Sequence, residues 1–454
     1  MSKSAQSPQR DTATYDIGNA IRAFGTYNAD LAGLYLGLSL TATAARTAKE
    51  KIARLSADLV ASELRRLIPV ADLRSAGSFF TGDALATKAL DMFHTPVGGQ
   101  AVILDPACGA GNLLVACSKR LPVQRMLTHT LQAWGKILHG YDLYPEFVEA
   151  TKLHVILEAI ERGAIAEGEP LDELKQLLPG IRRQDGLKTM LPCGCTHVFL
   201  NPPYRAVSAP ETCTWGEGKV NEAALFTERY LTLMKKGCNL VAILPEVLRC
   251  GSRYEKWREW LGREAAVDVF LSGQFDAKTQ IDVFIASCSR RFSGMPRIDS
   301  VDWQTSLCAT GTVGDVFEIH VGAVVPHRHA LEGSAFPYAR VSGLPRWGTV
   351  EKLPERCGFA GTKVAPPFVA IRRTSSPADR HRAVGTLVVG DESVAVENHL
   401  IVAKPRSGGK ELCKQLLAVL QKPSTHEDLN RRIRCRHLTV TAVCGIAWPE
   451  ECNA

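Results

Sequence analysis

Leu104-Asp105-Pro106-Ala107-Cys108-Gly109-Ala110-Gly111-Asn112-Leu113-Leu114 is the stretch on which the fold turns. The apolar run Ala101–Asp105 leads into it as a short strand, and Asn112 onward reads as a helix. Glycines between the two allow a tight turn and let backbone approach a ligand closely. A lone G-x-G is shared by many dinucleotide sites. Here the full G-x-G-x-x-G pattern is missing and an Asp-Pro pair precedes the glycines. A strand, a glycine turn and a helix in that order open an α/β unit.

Outward from this turn the pattern repeats. Gly140–Leu143, His197–Leu200, Asn239–Leu244, Ala266–Leu271 and Ile281–Cys288 are further strand candidates. Between them, Leu153, Ile156, Leu157 and Ile160 recur at helical spacing, and Ala223–Met234 is another helical stretch. Nearly all-apolar strands separated by helices predict a mostly parallel sheet covered on both faces. Before this block, Tyr15–Leu73 is rich in Ala, Leu, Arg and Lys and reads as helices, with Ile52, Leu55 and Leu59 on one face and Pro69 as a stop. After about Gly294 come frequent Pro, Gly and Ser with short β-type runs and a helix near Lys410–Leu420. The expected domains are therefore a helical segment over 1–73, an α/β domain over 74–298 and a mixed α+β domain over 299–454.

Two strand ends carry chemistry. Asp142 closes the strand after the glycine turn, where a carboxylate can accept both ribose hydroxyls of a nucleoside; a helix cap is the alternative. Asn201-Pro202-Pro203-Tyr204 follows the strand His197–Leu200, at a carboxyl end, where open α/β sheets bind ligands. An aromatic amine is a poor nucleophile because its lone pair is delocalised into the ring. An Asn oxygen and a backbone carbonyl can each accept one of its hydrogens and favour a more tetrahedral nitrogen. The two prolines fix the loop before substrate arrives, and Tyr204 offers a flat face for a base.

The glycine turn resembles motif I of class I methyltransferases, in the DPACGxGxxL form of adenine-N6 enzymes, and the tetrapeptide resembles their NPPY motif. The order of the two motifs, followed by a large tail, is similar to the gamma-type N6-adenine DNA methyltransferases of restriction-modification systems. That resemblance implies a Rossmann-like class I methyltransferase sheet and S-adenosylmethionine as cofactor. It places Asp105, Ala107, Gly109, Gly111, Asp142 and Leu143 around that cofactor. Arg183-Gln184-Asp185-Gly186-Leu187 resembles motif III, in which Asp185 and Gly186 meet the cofactor adenine; a plain Asp-Gly turn is the alternative. Gly77-Ser78-Phe79-Phe80-Thr81 resembles motif X, giving Thr81 a cofactor role, although Gly82 stands where the family has Pro. Asn201, Pro202 and Tyr204 are implied to be catalytic. Phe226, Pro245 and the stretch Leu231–Leu248 resemble the helix and strand that follow the tetrapeptide in this family. Gly273-Gln274-Phe275-Asp276 resembles motif VIII, which sets Phe275 beside Tyr204 against the target base; a core Phe is the alternative.

The tail is implied to be a target-recognition domain for duplex DNA. Val321–Ala454 holds 19 Lys+Arg against 12 Asp+Glu, so the whole net charge of +7 lies there. Either a polyanionic partner or a solvated basic surface explains it. Arg340, Arg346, Arg372-Arg373 and Arg431-Arg432-Arg434-Arg436 are the candidates for DNA contact, and each has a plain surface role as its alternative. A target base inside a duplex would have to be flipped out to reach the tetrapeptide.

The remaining features exclude more than they specify. No apolar stretch is long enough to cross a bilayer, and Met1–Arg10 is polar, so a cytoplasmic location is expected. Fourteen cysteines without a CxxC pair read as reduced thiols, and Cys193-Gly194-Cys195 lacks a second ligand pair, so no metal is expected. No nuclease segment is recognised, which leaves cleavage to a cognate restriction endonuclease. RNA or protein-glutamine methylation, and a silent DNA-binding subunit, are the competing functions.

Overall fold

The structure, a computed structural model, describes residues 24–55, 62–63, 66, 81–275, 281–291, 303, 311–326, 334–375, 379–434 and 437–449. Residues 77–80 of the motif X stretch, Asp276 and the Cys435-Arg436 pair lie outside these residues. So do Leu59 and Pro69 of the expected N-terminal helix. The chain forms two compact units. One comprises Met1–Pro245 with Glu259–Val301, and the other Glu246–Arg258 with Asp302–Ala454.

The first unit is built on β1 (Ile103–Asp105), β2 (Leu138–Asp142), β3 (Ile181–Arg183) and β4 (His197–Leu200), with a small ribbon of β5 (Ala206–Ser208) and β6 (Lys219–Asn221). Then come β7 (Asn239–Pro245), β8 (Ala265–Gln274) and β9 (Asp282–Arg290). The main sheet runs β3-β2-β1-β4-β7-β9-β8. All pairs are parallel except those made by β9, which is antiparallel to both neighbours. Every residue of β1, β4 and β7 is buried, as strands covered on both faces by helices must be. Strand order reverses between β1 and β4. Such a switch point is where open α/β sheets bind ligands, at the carboxyl ends of the strands.

Helices cover both faces. Pro145–Glu161, opened by a proline at its first turn, buries Phe147, Val155 and Ile156 among ten of its seventeen residues. The N-terminal helix Gly25–Gly37 lies against it. Tyr35 donates to the Glu169 carbonyl (2.7 Å), Asn28 to the Glu146 carbonyl (2.8 Å), and Phe24 packs edge-on against Phe147. The next helix, Ala42–Ile52, is capped by the Thr41 hydroxyl and stops at Ile52. The expected common helix of Ile52 and Leu55 is thus broken: tight turns at Arg54 and Leu55 follow, and both Ile52 and Leu55 still reach the core.

The second unit holds a five-stranded sheet. Its strands are β10 (Phe317–Val321), β12 (Thr349–Val350), β14 (Phe368–Arg372), β15 (Gly385–Val388) and β17 (Leu400–Pro405). They run β10-β17-β14-β15-β12, antiparallel except for the pair β12·β15. A smaller sheet joins β11 (Ala335–Ala339), β13 (Arg356–Gly358) and β16 (Ala395–Val396). The helix Lys410–Gln421, expected near Lys410–Leu420, buries Cys413, Leu416, Val419 and Leu420 as an amphipathic stripe. The next helix, Pro423–Arg432, ends on a buried guanidinium. Arg249 is fully buried, pairs with Glu246 and donates to the carbonyls of Arg431 (3.1 Å), Arg432 (2.9 Å) and Trp303 (2.6 Å). One cation so satisfies carbonyls that a helix end leaves open.

Candidate active site

The glycine turn between β1 and the helix Asn112–Ser118 is shaped by backbone. Gly109 and Gly111 hold positive φ of 53° and 91°. A Cβ at Gly111 would come within 2.8 Å of Thr151 Cγ2. Conformation and space therefore both require glycine there. Asp105 is buried (1% exposed) and its carboxylate accepts from Ala107 N (3.1 Å). Burial pushes its carboxyl up to about 8, against the pull of that hydrogen bond. Asp142, partly buried at the end of β2, accepts from Gly109 N (3.0 Å) and Tyr144 N (3.0 Å). It too is raised by burial, to about 6, although those backbone donors favour its ionised form.

The helix Pro145–Glu161 backs the turn. Thr151 donates to the Gly109 carbonyl (2.8 Å), and His154 Nδ1 bonds the Ala110 carbonyl (2.8 Å). A carbonyl only accepts, so Nδ1 carries the proton and Nε2 accepts from the Tyr27 hydroxyl (2.9 Å). Burial lowers the imidazole to about 4 and keeps it neutral, as this chain of bonds requires. Sequence reasoning missed Thr151, His154 and Tyr27. The one signal was Thr151 and His154 three positions apart, at helical spacing, beside the apolar Leu153 and Ile156.

Asp185 and Gly186 lie against the same loop. Asp185 Oδ1 accepts from Leu187 N (3.0 Å), and a Cβ on Gly186 would sit 2.0 Å from the Pro106 carbonyl oxygen. Tyr230 further ties this turn by donating to the Gly186 carbonyl (2.7 Å). Leu143, next to Asp142, is 47% exposed, an apolar side chain facing out beside a carboxylate.

Across the switch point, β4 delivers Asn201. Its Nδ2 donates to Thr81 Oγ1 (2.7 Å), and its Oδ1 accepts from the Tyr204 hydroxyl (2.9 Å). Thr81 is buried, and its carbonyl also accepts from Asn112 Nδ2 (2.8 Å) at the head of the glycine-turn helix. Thr81 therefore bonds both motif regions, and Asn112 is a further residue that sequence reasoning missed. Pro202 is buried. The Tyr204 hydroxyl also donates to the Ile243 carbonyl (3.1 Å), and burial holds the phenol far above its ordinary range, so it stays neutral. Its ring meets that of Phe275 edge-on, centroids 6.5 Å apart and planes at 89°. Phe275 is itself 7% exposed, so it packs in the core as well as beside Tyr204.

Past the tetrapeptide the chain is fastened to the next helix. Asn221 Nδ2 donates to the Tyr204 carbonyl (3.0 Å) while its Oδ1 caps Ala223 N (3.0 Å). Arg205 forms a two-point ion pair with Glu222, which is 5% exposed. Among the described residues, no group of three or more His, Cys, Asp or Glu is placed to hold a metal, and no helix is long and apolar enough to cross a membrane. The described cysteines are free thiols.

With this geometry in view, the chain can be set beside solved structures that it resembles. Over 87% of its length the chain superimposes on 71% of the type IIL restriction-modification enzyme MmeI, solved with DNA, at a TM-score of 0.51 and 12% identity. The type IIG restriction endonuclease BpuSI matches 97% of the chain with 71% of its own (TM-score 0.40, 13% identity). A type I restriction-modification methyltransferase subunit from Streptococcus thermophilus matches 52% (TM-score 0.34, 16% identity), and the chain spans half of that subunit's length. The first unit has the Rossmann-like class I methyltransferase fold. No family model matches the chain, and no curated protein matches it in sequence.

Proposed function

We propose that this chain transfers a methyl group from S-adenosylmethionine to the N6 amino group of adenine in duplex DNA, as the modification enzyme of a restriction-modification or related defence system. One observation carries the reading: at the switch point, Thr81 joins Asn201 of the loop after β4 to Asn112 of the turn after β1. The residues around that turn suit the cofactor. Asp142 presents a carboxylate, held by two backbone donors, to ribose hydroxyls. Leu143, exposed beside Asp142, offers an apolar contact, and Asp185-Gly186, packed against the glycine turn at Pro106, is the candidate for the cofactor adenine. When bound, S-adenosylmethionine supplies an electrophilic methyl group.

The chain's own residues do the rest. Asn201 Oδ1 and a backbone carbonyl at the prolines accept the two N6 hydrogens, which directs the nitrogen lone pair toward the methyl carbon. Thr81 fixes the Asn201 amide, so no reorganisation is needed as charge develops on nitrogen. Tyr204, kept neutral by burial, offers a stacking face rather than an acid or base, and Phe275 closes the pocket at a right angle to it. Bound there, S-adenosylmethionine would give its methyl group to N6 and leave as S-adenosylhomocysteine, and the surplus N6 proton would pass to solvent. Flipping the base costs on the order of a few kcal/mol, offset in part by this stacking. Duplex DNA is engaged through the basic second unit, and cleavage belongs to a cognate endonuclease acting at the same site.

The test is transfer of labelled methyl groups from S-adenosylmethionine to unmethylated duplex DNA, followed by nucleoside analysis. N6-methyladenine is the expected product. Label found in RNA or in protein glutamine, with none in DNA, would replace this reading.

A further inference from the structure

The arginines of the second unit differ in what holds them. Arg340 is paired with Glu355, Arg356 with Glu392, and the buried Arg432 with Asp428. These cations are already neutralised. Arg346 and Arg372 have no carboxylate partner among the described residues. Arg346 is exposed. Arg372 donates one bond, to the Leu344 carbonyl (2.9 Å), while its buried Nε has no partner.

They stand in a group of like charge. Burial depresses the Arg372 guanidinium, and repulsion by Arg346 depresses it further. Trp347, next to Arg346, meets the His381 ring edge-on at 5.4 Å. His381 in turn lies close enough to His426 to depress it, together with burial and the buried Arg382. Arg382 and His426 share Asn430, at 2.7 and 3.0 Å. Both histidines keep a buried Nδ1 without a hydrogen-bond partner. The carboxylates facing this group are Asp379 and Glu427, and they act on His426.

The backbone there is also unusual. Trp347 has φ 66°, the only described residue other than glycine with a positive φ. A bulky side chain in that region is strained, and such strain persists where the surroundings enforce it, often at binding sites. Cations without counter-ions, partly desolvated donors without partners and an aromatic held out of its preferred backbone form a set that an anion completes.

We infer that Arg346, Arg372, His381 and Trp347 form the phosphate-binding site by which the second unit grips the DNA backbone, with the ring of Trp347 against the adjoining sugar. This rests on the DNA-methyltransferase reading. Arg346 and Arg372 supply the charge, because guanidinium matches phosphate with two parallel donors. The paired Arg340 and Arg356 contribute little, since binding them to phosphate would first break an ion pair.

The test is equilibrium binding of the full chain to labelled random-sequence duplexes across a salt series, with thermal melting to confirm folding. Arg346→Ala, an exposed position, is expected to lower affinity about tenfold at roughly 0.1 M salt and to reduce the salt slope by about 1. Arg372→Gln should do the same, Trp347→Ala should weaken binding with the slope intact, and Arg340→Ala should stay within about twofold. Wild-type affinity and slope in both Arg346→Ala and Arg372→Gln would overturn the assignment; so would single-stranded RNA displacing the duplex at equal concentration. Methyl transfer measured on the same preparations separates the two levels. If the wild type methylates DNA while these variants bind unchanged, the site is wrong and the function stands. A wild type that binds no duplex removes both.

Discussion

The loops after β1 and after β4 are joined through Thr81 but are built by opposite means. The first is a backbone structure: positive-φ glycines, carbonyls taken by Thr151 and His154, and two carboxyls raised by burial. The second is held by side chains: Asn201 to Thr81, Tyr204 to Asn201 and Ile243, Asn221 to the Tyr204 carbonyl. A rigid backbone cradle suits a ligand that is the same in every turnover. An array of side chains suits an acceptor that must be gripped only as its charge changes. Under the proposed function, the comparison gives cofactor binding to the first loop and rate to the second.

The largest effect should come from the second loop. Asn201→Ala removes an acceptor aimed at developing charge and is expected to lower methyl transfer by about 10³, measured in single turnovers with cofactor saturating. A loss below tenfold would break the division. Next, Gly111→Ala forces a side chain into a positive-φ position against Thr151, and should destabilise the fold by roughly 2 kcal/mol or more in denaturant unfolding.

Much of this contrast was legible in sequence, and its limits have physical causes. The strands β1, β4 and β7 are continuous apolar runs, so burial on both faces writes them plainly. β3 was missed because Ile181 is its only apolar residue: it is an edge strand with Arg182 and Arg183 exposed. The ribbon β5·β6 was missed because it is short, and β5 carries no buried residue. The motifs after β1 and β4 are plain in the sequence, but the residues that fasten them do not announce themselves. Thr151, His154 and Tyr27 act through distances of 42, 44 and 127 positions in the chain, which only the fold closes. Asn221 left a fair signal, an Asn at the head of a helix, without showing that its other end would hold Tyr204. In the second unit, composition gave the excess of arginine but not which ones spend their charge on carboxylates.

A pH series sharpens the contrast within the first loop. Asp105 titrates at about 8 in the folded chain against an ordinary 3.8, so the folded state binds its proton more tightly than the unfolded chain does. That contribution is complete below the unfolded value and is lost as pH rises through about 8; Asp142 acts in the same sense up to about 6. Without cofactor, stability should therefore fall between about pH 4 and 8, each unit of pKa difference between folded and unfolded chain being worth about 1.4 kcal/mol. Asp105→Asn should flatten the upper part of this profile, and an unchanged slope would show that Asp105 is ionised throughout. The smallest effect is expected behind the loop, where Tyr27→Phe deletes the bond to His154 and should cost about 1 kcal/mol without changing methyl transfer at saturating cofactor.

The measurement that bears most directly on the division of labour is calorimetric titration with S-adenosylmethionine, free of DNA, of the wild type, Asp142→Asn and Asn201→Ala. The account predicts that Asp142→Asn weakens binding by roughly 10-fold or more, as loss of hydrogen bonds to a charged group should, while Asn201→Ala stays within about threefold. Weakened binding in Asn201→Ala with near-wild-type binding in Asp142→Asn would contradict it.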